Sequence, residues 1–442
     1  MTYCKFVCFA IGLFFYSNLL AIPDSTSVNE KFYLVDSIAV SGNNITEDFI
    51  ILRELNFGPG DIVSETQLQF NKERIFSLRL FTKVDLYPVT VDDKIIIQID
   101  VKESWYIYPI PFIRRQDGSM SKLSYGINFS FKNFRGRNEH LRAIIGLGYD
   151  PFLALVYQNP ALDYKRNLLL GFSLFLLKMN NKSSTAQKIY GSDFKYKFYS
   201  SEIDLGKRIN QFNEVFVGVG YDYIEGPESP LPKITASGDK VDRVLSLTLG
   251  YSYDTRDLKQ FSQNGIFSFM YLKHKGFGLS DINYYLLGFD FREYRPVIDD
   301  FSARWRFVIR HTFGRSVPFY DYSYLGFEEY VRGYSNENYE GNNYLLSSIE
   351  FSYPILKEFD FSIKLPLIPQ QLTSARIGVY LSAFADAGQV FDNNQRFRFS
   401  SFNTGYGFGL TFLVLPYNAI RFEYAFNKLG KGELLIGTGF SF

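Results

Sequence analysis

Hydrophobic and polar positions alternate along most of the chain, beginning near Trp105. Segments of about ten alternating residues follow one another to the C-terminus, each followed by a turn. A period of two places successive side chains on opposite faces of a β-strand. The pattern predicts sixteen strands, which start near Trp105, Ser121, Glu139, Phe152, Arg166, Ile189, Glu214, Val241, Gly265, Asp281, Phe301, Tyr344, Arg376, Thr404, Ala419 and Glu433.

The two faces of these strands differ in polarity. In Arg421–Phe426 the even positions are aromatic and the odd positions are polar or small, and in Gly405–Val414 aromatic residues oppose a row of glycines. A water-soluble sandwich would also alternate, but 18% of the residues are aromatic, with 46 Phe and 33 Tyr. One sandwich core cannot hold most of these rings, whereas a lipid-facing belt can.

No stretch after the N-terminal segment is apolar enough to be a membrane-spanning helix. The longest dense run, Leu168–Leu177, is about half the length that such a helix needs. Charged residues make up 21% of the chain and the mean hydropathy is −0.09, which also disfavours a helical membrane bundle. Because strands can cross lipid only as a closed barrel, residues 104–442 are predicted to form a sixteen-stranded antiparallel transmembrane β-barrel, and the fold class is mainly β.

Residues 32–103 follow a different pattern, which predicts a small α+β domain. Ser64 and Gln67 have the spacing of a capping box at the start of a helix. The predicted order is β-α-α-β-β, with a strand at Tyr33–Ser41, a helix capped by Thr46, a helix that starts at Ser64, and two strands at Lys83–Val91 and Lys94–Val101.

The first 21 residues are typical of a secretory signal peptide. Lys5 precedes the apolar run Phe6–Phe15, and Leu19-Leu20-Ala21 resembles a cleavage site. A transmembrane anchor is the alternative, although the run is short for a membrane span. Residues 22–31 are then predicted to be a short linker.

The remaining composition argues against several kinds of chemistry. The two cysteines, Cys4 and Cys8, lie in the predicted signal, so its removal would leave no thiol for a disulfide or a metal site. The three histidines, His140, His274 and His311, are not closely spaced. A net charge of +1 provides no field for nucleic-acid binding. We expect no metal, no cofactor, no nucleic-acid partner and no enzymatic activity.

Several short motifs in residues 32–103 resemble a polypeptide-transport-associated (POTRA) domain. They are Val40-Ser41-Gly42-Asn43, Thr46, Ile51–Leu55, Gly58-Pro59-Gly60-Asp61 and Leu80–Val84, in that order. An unrelated small α+β domain is the alternative. One such domain fits into this region.

Motifs in the C-terminal region resemble the bacterial surface antigen superfamily of outer-membrane assembly and translocation barrels (BamA/TamA-like). The long connection Arg315–Asn343 contains Val331-Arg332-Gly333-Tyr334, similar to the family's lumenal loop tip. Tyr253–Asp257 is family-like at a strand end, and Phe384–Phe391, with Phe384 and Gly388, is similar to the family's thirteenth-strand signature. The resemblance implies a bacterial outer-membrane location, with the POTRA domain in the periplasm.

The resemblance also implies a contact between the loop tip and the barrel wall. Glu350 shares a face with Ser348 and Ser352, and Asp386 shares a face with Ser382, so both acids are expected to point into the lumen. An arginine removed from water needs acidic partners with good geometry. We predict that Arg332 pairs with Asp386 and with Glu350; the alternative is a solvated arginine beside unrelated charges.

The junction between the first and last strands is a candidate weak seam. Pro109 and Pro111 lie in the first strand, and a proline lacks the N–H that a ladder bond needs. The last strand, Glu433–Phe442, ends with Phe440 and Phe442, as is common in outer-membrane barrels. Alternatively, the prolines end a linker and the first strand starts later.

The function that the resemblance implies is insertion, assembly or translocation of polypeptides at the outer membrane. The POTRA edge strand would capture an unfolded polypeptide client, and the seam would handle it. The expected partners are the lipid bilayer, such clients and periplasmic accessory proteins. A passive porin or a surface antigen or adhesin is the alternative.

The connection Ile355–Ala375 is long for a periplasmic turn, so it either has local structure or indicates a wrong strand count.

Overall fold

A computed structural model describes residues 30–115, 120–190, 194–227, 235–298, 300–314, 317–326, 329–395 and 398–439. The predicted signal peptide and most of the predicted linker lie outside the described residues, as do Phe440 and Phe442.

Residues 32–103 form a small domain of two helices and five strands. The elements are β1 (Phe32–Leu34), β2 (Ser37–Ser41), α1 (Asp48–Leu52), β3 (Ile62–Ser64), α2 (Glu65–Phe76), β4 (Phe81–Val91) and β5 (Lys94–Glu103). A three-stranded sheet has the order β2-β5-β4, in which β2 is parallel to β5 and β4 is antiparallel to it, and β1 pairs with β3. The predicted order is present, but the first predicted strand is split into β1 and β2, and the short strand β3 precedes the second helix.

One of the two predicted helix caps is present. The Ser64 hydroxyl accepts from the Gln67 N–H at 3.2 Å, and the Gln67 side chain accepts from the Ser64 N–H at 3.0 Å, which is the capping box. The cap predicted at Thr46 is wrong, because Glu47 occupies the N-cap position of α1. The Thr46 hydroxyl instead donates to the Glu103 carboxylate at 2.6 Å, a contact between distant parts of the chain.

Sixteen further strands form one antiparallel sheet that runs in chain order, interrupted by a loop between its eleventh and twelfth strands. That loop contains the short pair β17 (Ser323–Leu325) and β18 (Tyr339–Gly341), and a helix α3 (Ser184–Tyr190) lies between two other strands. Among the described residues, no helix is long and apolar enough to cross a membrane. The strands are β6 (Ile107–Arg115), β7 (Leu123–Phe134), β8 (Glu139–Gly148), β9 (Phe152–Asp163), β10 (Leu168–Asn180), β11 (Lys195–Arg208), β12 (Asn213–Glu225), β13 (Val241–Asp254), β14 (Gly265–Lys275), β15 (Tyr284–Ile298), β16 (Phe301–Gly314), β19 (Asn343–Ser362), β20 (Ser374–Phe391), β21 (Asn403–Leu415), β22 (Asn418–Asn427) and β23 (Gly432–Thr438).

The prediction of sixteen strands is confirmed. The largest displacement concerns the sixth strand, since the predicted start at Ile189 lies in α3 and β11 begins at Lys195. The long connection at 355–375 has local structure: β19 and β20 extend into it, and a short 3₁₀ helix, Gln370–Leu372, lies near its end. The strand count in that region was therefore correct.

The sheet exposes apolar side chains and buries polar ones. On β13, Leu245, Leu247 and Leu249 are 44%, 37% and 50% exposed, whereas Ser246 and Thr248 are 4% and 5% exposed. A water-soluble protein would show the reverse, so the outer face is suited to lipid. We call this sheet the barrel and its polar interior, which the long loop enters, the lumen.

Candidate functional site: the lumenal anchor and the docked domain

The long loop between β16 and β19 places an arginine deep in the lumen. The Arg332 residue is 5% exposed. Its Nε and one terminal nitrogen each donate to Asp386 at 2.7 Å, which is a bidentate pair with β20. The other terminal nitrogen donates to Glu350 of β19 at 2.8 Å and to Glu423 of β22 at 3.0 Å. Three strands therefore hold one loop side chain.

Aromatic and charged neighbours complete this cluster. The guanidinium carbon of Arg332 lies 3.5 Å from the centre of the Phe384 ring, so the cation stacks on the aromatic face. Arg304 binds Glu350 at 2.9 Å, and Arg421 lies 3.5 Å from Glu423. The cluster thus combines three arginines with three acids, and this balance offsets the cost of removing the charges from water.

The other residues of the loop motif are also placed against the wall. Val331 and Tyr334 are 3% and 6% exposed and pack with Val308 and Leu346. The Gly333 N–H donates to the Glu433 side chain at 2.8 Å, and Glu433 also accepts from the Ser335 hydroxyl at 3.1 Å. We call Val331–Tyr334, together with Asp386, Glu350 and Glu423, the lumenal anchor.

Two glycines of the wall make room for the anchor. A Cβ at Gly388 would lie 2.6 Å from the Val331 side chain, and one at Gly405 would lie 1.7 Å from the Arg332 carbonyl oxygen. Both distances are too short for nonbonded carbon contacts. Phe384 and Gly388 of the predicted strand signature therefore contact the loop tip, one by stacking and the other by leaving space.

Sequence reasoning missed Glu423 of the anchor, and it missed Glu433 and Gly405, which contact the loop tip. The signal for two of them was present. The alternation in Arg421–Phe426 puts Glu423 on the polar face, and the glycine row of β21 puts Gly405 there. The sequence alone does not show that either residue lies beside Arg332, because that depends on how the barrel wall curves around the loop.

The long loop makes further ionic contacts with the wall outside the anchor. Glu329 accepts two bonds from Arg306 of β16, at 2.6 and 2.9 Å. Asp321 binds Lys275 of β14 at 2.6 Å. The described part of the loop is therefore fixed to the wall at several points outside the anchor.

A second buried charge cluster joins the N-terminal domain to the barrel. Glu54, which follows α1, is 3% exposed and accepts two bonds from Arg208 at the end of β11, at 2.7 and 3.1 Å. Arg74 of α2 lies 3.6 Å from the same carboxylate. Burial is the largest single influence and would raise the pKa of Glu54, but the charge and hydrogen bonds of Arg208, together with the charges of Lys259 and Arg53, lower the pKa to about 2. We call Glu54, Arg74 and Arg208 the docking cluster.

The same interface extends over other turns of the barrel. Arg74 donates to the carbonyl oxygens of Asp254 and Arg256 at 3.1 and 3.3 Å, so the family-like segment Tyr253–Asp257 contacts the N-terminal domain. Glu73 binds Arg376 of β20 at 2.6 Å.

An apolar cluster continues across the boundary between the two domains. Its buried members from the N-terminal domain include Ile50 and Phe76, and those from the barrel include Leu258, Phe261 and Leu415. The N-terminal domain therefore packs against the end of the barrel to which its chain connects.

The candidate seam is only partly described. β6 begins at Ile107, so Pro109 and Pro111 lie inside the first strand, opposite Phe129 and Ile127 of β7. The strand thus starts before both prolines.

In the described part of the chain, no group of three or more His, Cys, Asp or Glu side chains could hold a metal ion.

Two family models match the chain. The model described as the Omp85 superfamily domain matches residues 133–442, and the POTRA model, described as a surface antigen variable number repeat, matches residues 33–104.

The curated relatives align with only part of this chain, and the aligned part is a smaller share of each relative. The outer membrane protein assembly factor BamA of Neorickettsia risticii is 25% identical over 235 residues, which are 50% of this chain and 30% of the relative. The putative outer membrane protein assembly factor of Treponema pallidum is 25% identical over 187 residues, 40% of this chain and 22% of the relative. The chain thus spans less than a third of the length of either relative.

Solved structures share the fold. BamA from Haemophilus ducreyi lacking POTRA domains 1–3 is 20% identical, with a TM-score of 0.53, and the match covers 92% of this chain and 84% of that one. CdiB from Escherichia coli is 13% identical, with a TM-score of 0.57, and the match covers 92% and 75% of the two chains. At these identities the likeness establishes the fold alone.

These matches confirm the predicted fold class, the non-enzymatic character and the outer-membrane location. The model matches cover both the small domain and most of the barrel. The chain therefore belongs to the Omp85 superfamily, with a periplasmic POTRA domain that precedes a sixteen-stranded outer-membrane barrel.

Proposed function

We propose that the protein inserts, assembles or translocates polypeptides at the outer membrane. The observation that carries this proposal is the POTRA domain docked on the barrel in the same chain as the lumenal anchor. A passive pore does not account for the periplasmic domain, and a loop fixed in the lumen reduces the room for a solute. The names of the relatives, outer membrane protein assembly factors, agree with this reading.

The POTRA sheet has two edges, and we propose that the client pairs with β2. On the opposite edge, Lys83 of β4 lies 3.9 Å from Asp360 of β19, so part of β4 runs beside the barrel. β2 pairs with β5 and has no other strand partner among the described residues. An extended polypeptide can add to such an edge through main-chain hydrogen bonds.

A comparison of the two edges tests client capture. A photoreactive amino acid at Ala39 of β2 is expected to trap polypeptides in the periplasm, whereas the same group at Lys83 of β4, where that strand runs beside the barrel, is expected to trap few. Equal yields at the two positions would contradict capture by β2.

The second step of the proposal is handling of the client between β6 and β23, the first and last strands of the sheet. The two prolines of β6 remove donors from that strand, which weakens its ladder. Cysteine pairs scanned between β6 and β23 test this step, since a disulfide would hold the strands together. If the locked protein still supports normal levels of outer-membrane proteins or exported clients in cells depleted of the native protein, opening of the seam is dispensable.

A porin or an adhesin is the competing function. Steady conductance of the purified protein, with no loss of outer-membrane or exported proteins on depletion, would favour a porin. Loss of those proteins on depletion, with little steady conductance, is the expected result.

A further inference from the structure

The hairpin of β19 and β20 extends well beyond the strands beside it. β19 pairs with β16 only as far as Ser352, opposite Ser302, and then continues to Ser362. Residues 353–362 thus have no β16 partner, and at about 3.4 Å per residue they add roughly 34 Å of strand. The extension lies at the end of the barrel that carries the POTRA domain.

The extension has one polar face, which is directed at the POTRA domain. Asp360 pairs with Arg376, and Arg376 in turn binds Glu73 of the POTRA helix. The Tyr380 hydroxyl donates to Glu358 at 2.8 Å on the same part of the hairpin. These contacts orient the hairpin, because neighbouring residues on a strand must then point the other way.

The opposite face is apolar and exposed. Phe359 and Phe361, on either side of Asp360, are 44% and 43% exposed, and Leu356 is 45% exposed. In the part of β19 that pairs with β16, Ile349 and Phe351 occupy the outer face of the barrel. The apolar face of the extension is therefore continuous with the lipid-facing surface.

The tip of the hairpin is also apolar and exposed. Ile363, Leu365, Leu367 and Ile368 are 45%, 42%, 103% and 46% exposed. The tip is nevertheless folded, since the Ile363 N–H donates to the Thr373 carbonyl at 3.1 Å and the Tyr417 hydroxyl donates to the Gln371 carbonyl. Leu367 has a φ of 67°, an uncommon conformation for leucine, so a defined turn directs its side chain away from the protein.

The free edge of β19 is poorly suited to an added strand. Pro354 lacks an N–H, and the register shifts twice, between Pro354 and Leu356 and between Leu356 and Phe359. Lys357 is bound to Asp300 at 2.7 Å along this edge. Prolines, bulges and lysines are features that natural sheets use to prevent edge pairing. A polypeptide strand is therefore a poor occupant, and the apolar face remains to be covered.

We propose that this face and the hairpin tip, residues 356–368, lie on the phospholipid surface of the periplasmic leaflet. Leucine, isoleucine and phenylalanine side chains would enter the boundary between headgroups and acyl chains, and Lys364 would meet the lipid phosphates. Because the polar face binds Glu73 and lies near Lys83, the hairpin would also fix the POTRA domain at a set height below the membrane. The proposal rests on the outer-membrane location and does not depend on the handling of clients.

Lipid quenching of a fluorophore tests the contact. The full chain, with Cys4 and Cys8 replaced by serine, is given one cysteine, labelled with bimane, and reconstituted in vesicles of phosphatidylethanolamine and phosphatidylglycerol. Part of the lipid carries a nitroxide close to the headgroup. A label at Leu367→Cys is expected to be quenched nearly as strongly as one at Leu381→Cys on the lipid-facing surface. A label at Asp93→Cys, in the turn between β4 and β5, is the aqueous control.

A second pair of variants separates insertion from mere proximity. Leu365→Asp with Ile368→Asp is expected to abolish quenching at position 367 and to leave quenching at position 381 unchanged. Heat-modifiable gel mobility reports that the barrel of each variant has folded. Quenching at 367 no stronger than at 93 would overturn the proposal. Protection of 367 that grows with protein density, or on addition of unfolded polypeptide, without lipid quenching would assign the face to a protein partner and overturn it as well.

Discussion

The lumenal anchor and the docking cluster both keep a buried charged side chain paired with charges of the opposite sign. The central side chain is basic in the anchor and acidic in the docking cluster. In the anchor, a basic side chain on a loop is held by acids of three strands. In the docking cluster, an acid of the POTRA domain is held by an arginine of the barrel and one of its own domain. Both are buried, yet the first joins parts of one barrel and the second joins two domains. Loss of the first should loosen the loop, and loss of the second should loosen the POTRA domain.

Arg332→Ala is expected to have the largest effect. It leaves Asp386, Glu350 and Glu423 with two arginines instead of three, and removing one partner of a buried ionic cluster costs about 3–5 kcal/mol. The temperature at which the protein loses its compact form on heat-modifiable gels should fall, and the loop should become sensitive to protease. Arg332→Lys should fall between the wild type and Arg332→Ala, because lysine cannot form the bidentate pair.

Arg166→Ala is the control for this prediction, since its side chain is 80% exposed at a turn. An Arg332→Ala protein with unchanged gel mobility, protease resistance and activity would mean that the anchor does not hold the loop.

Glu54→Gln should release the POTRA domain and leave the barrel intact. The substitution removes the charge that Arg208 and Arg74 share, at a cost of about 3 kcal/mol that falls on the interface. Energy transfer between dyes at Asp93→Cys and Arg166→Cys should decrease, while heat-modifiable mobility stays normal.

Glu65→Gln is the matched control, because Glu65 lies in the first turn of α2 and bonds Tyr33 within the POTRA domain. If Glu54→Gln destabilised the barrel as much as Arg332→Ala does, the two clusters would not act on separate regions.

Gly405→Ala tests the anchor without changing any charge. The added Cβ would lie 1.7 Å from the Arg332 carbonyl oxygen, so the loop tip must shift. Overpacking of this kind costs about 1–3 kcal/mol. The loop should become more sensitive to protease, by less than in Arg332→Ala. Gly171→Ala is the control, since its nearest neighbours are side-chain atoms of Asp204 at 3.3 Å, and equal effects of the two substitutions would contradict the close approach.

The two clusters also differ in how much of their geometry could be predicted from the sequence. A period of two does not depend on tertiary context, so the facing of Glu350 and Asp386 was readable, as were the number of strands and most of their starts. The cap at Thr46 was not, because Glu103, which is distant in sequence, competes for the same hydroxyl.

The docking cluster was beyond sequence reasoning for a related reason. Glu54 and Arg208 are 154 positions apart and belong to different domains. Their contact depends on how one folded domain sits on another, which neither periodicity nor a short motif encodes. The family-like segment Tyr253–Asp257 was recognised, but its contact with Arg74 became visible only in the structure.

The smallest effect concerns pH and separates the docking cluster from other contacts. Glu54 has a pKa of about 2 when docked, below its ordinary value of 4.5. Because docking lowers the pKa, the stability that Glu54 contributes is fully present above about 4.5 and is lost as the pH falls towards 2. Energy transfer between the same two dyes should therefore be constant from about pH 8 to 5 and should decrease below that range. The Glu54→Gln protein should lack this acid-dependent decrease, since it has no carboxylate to protonate at this position. A wild-type decrease centred between about pH 6 and 8 would mean that a different titrating group, with a higher pKa, controls docking.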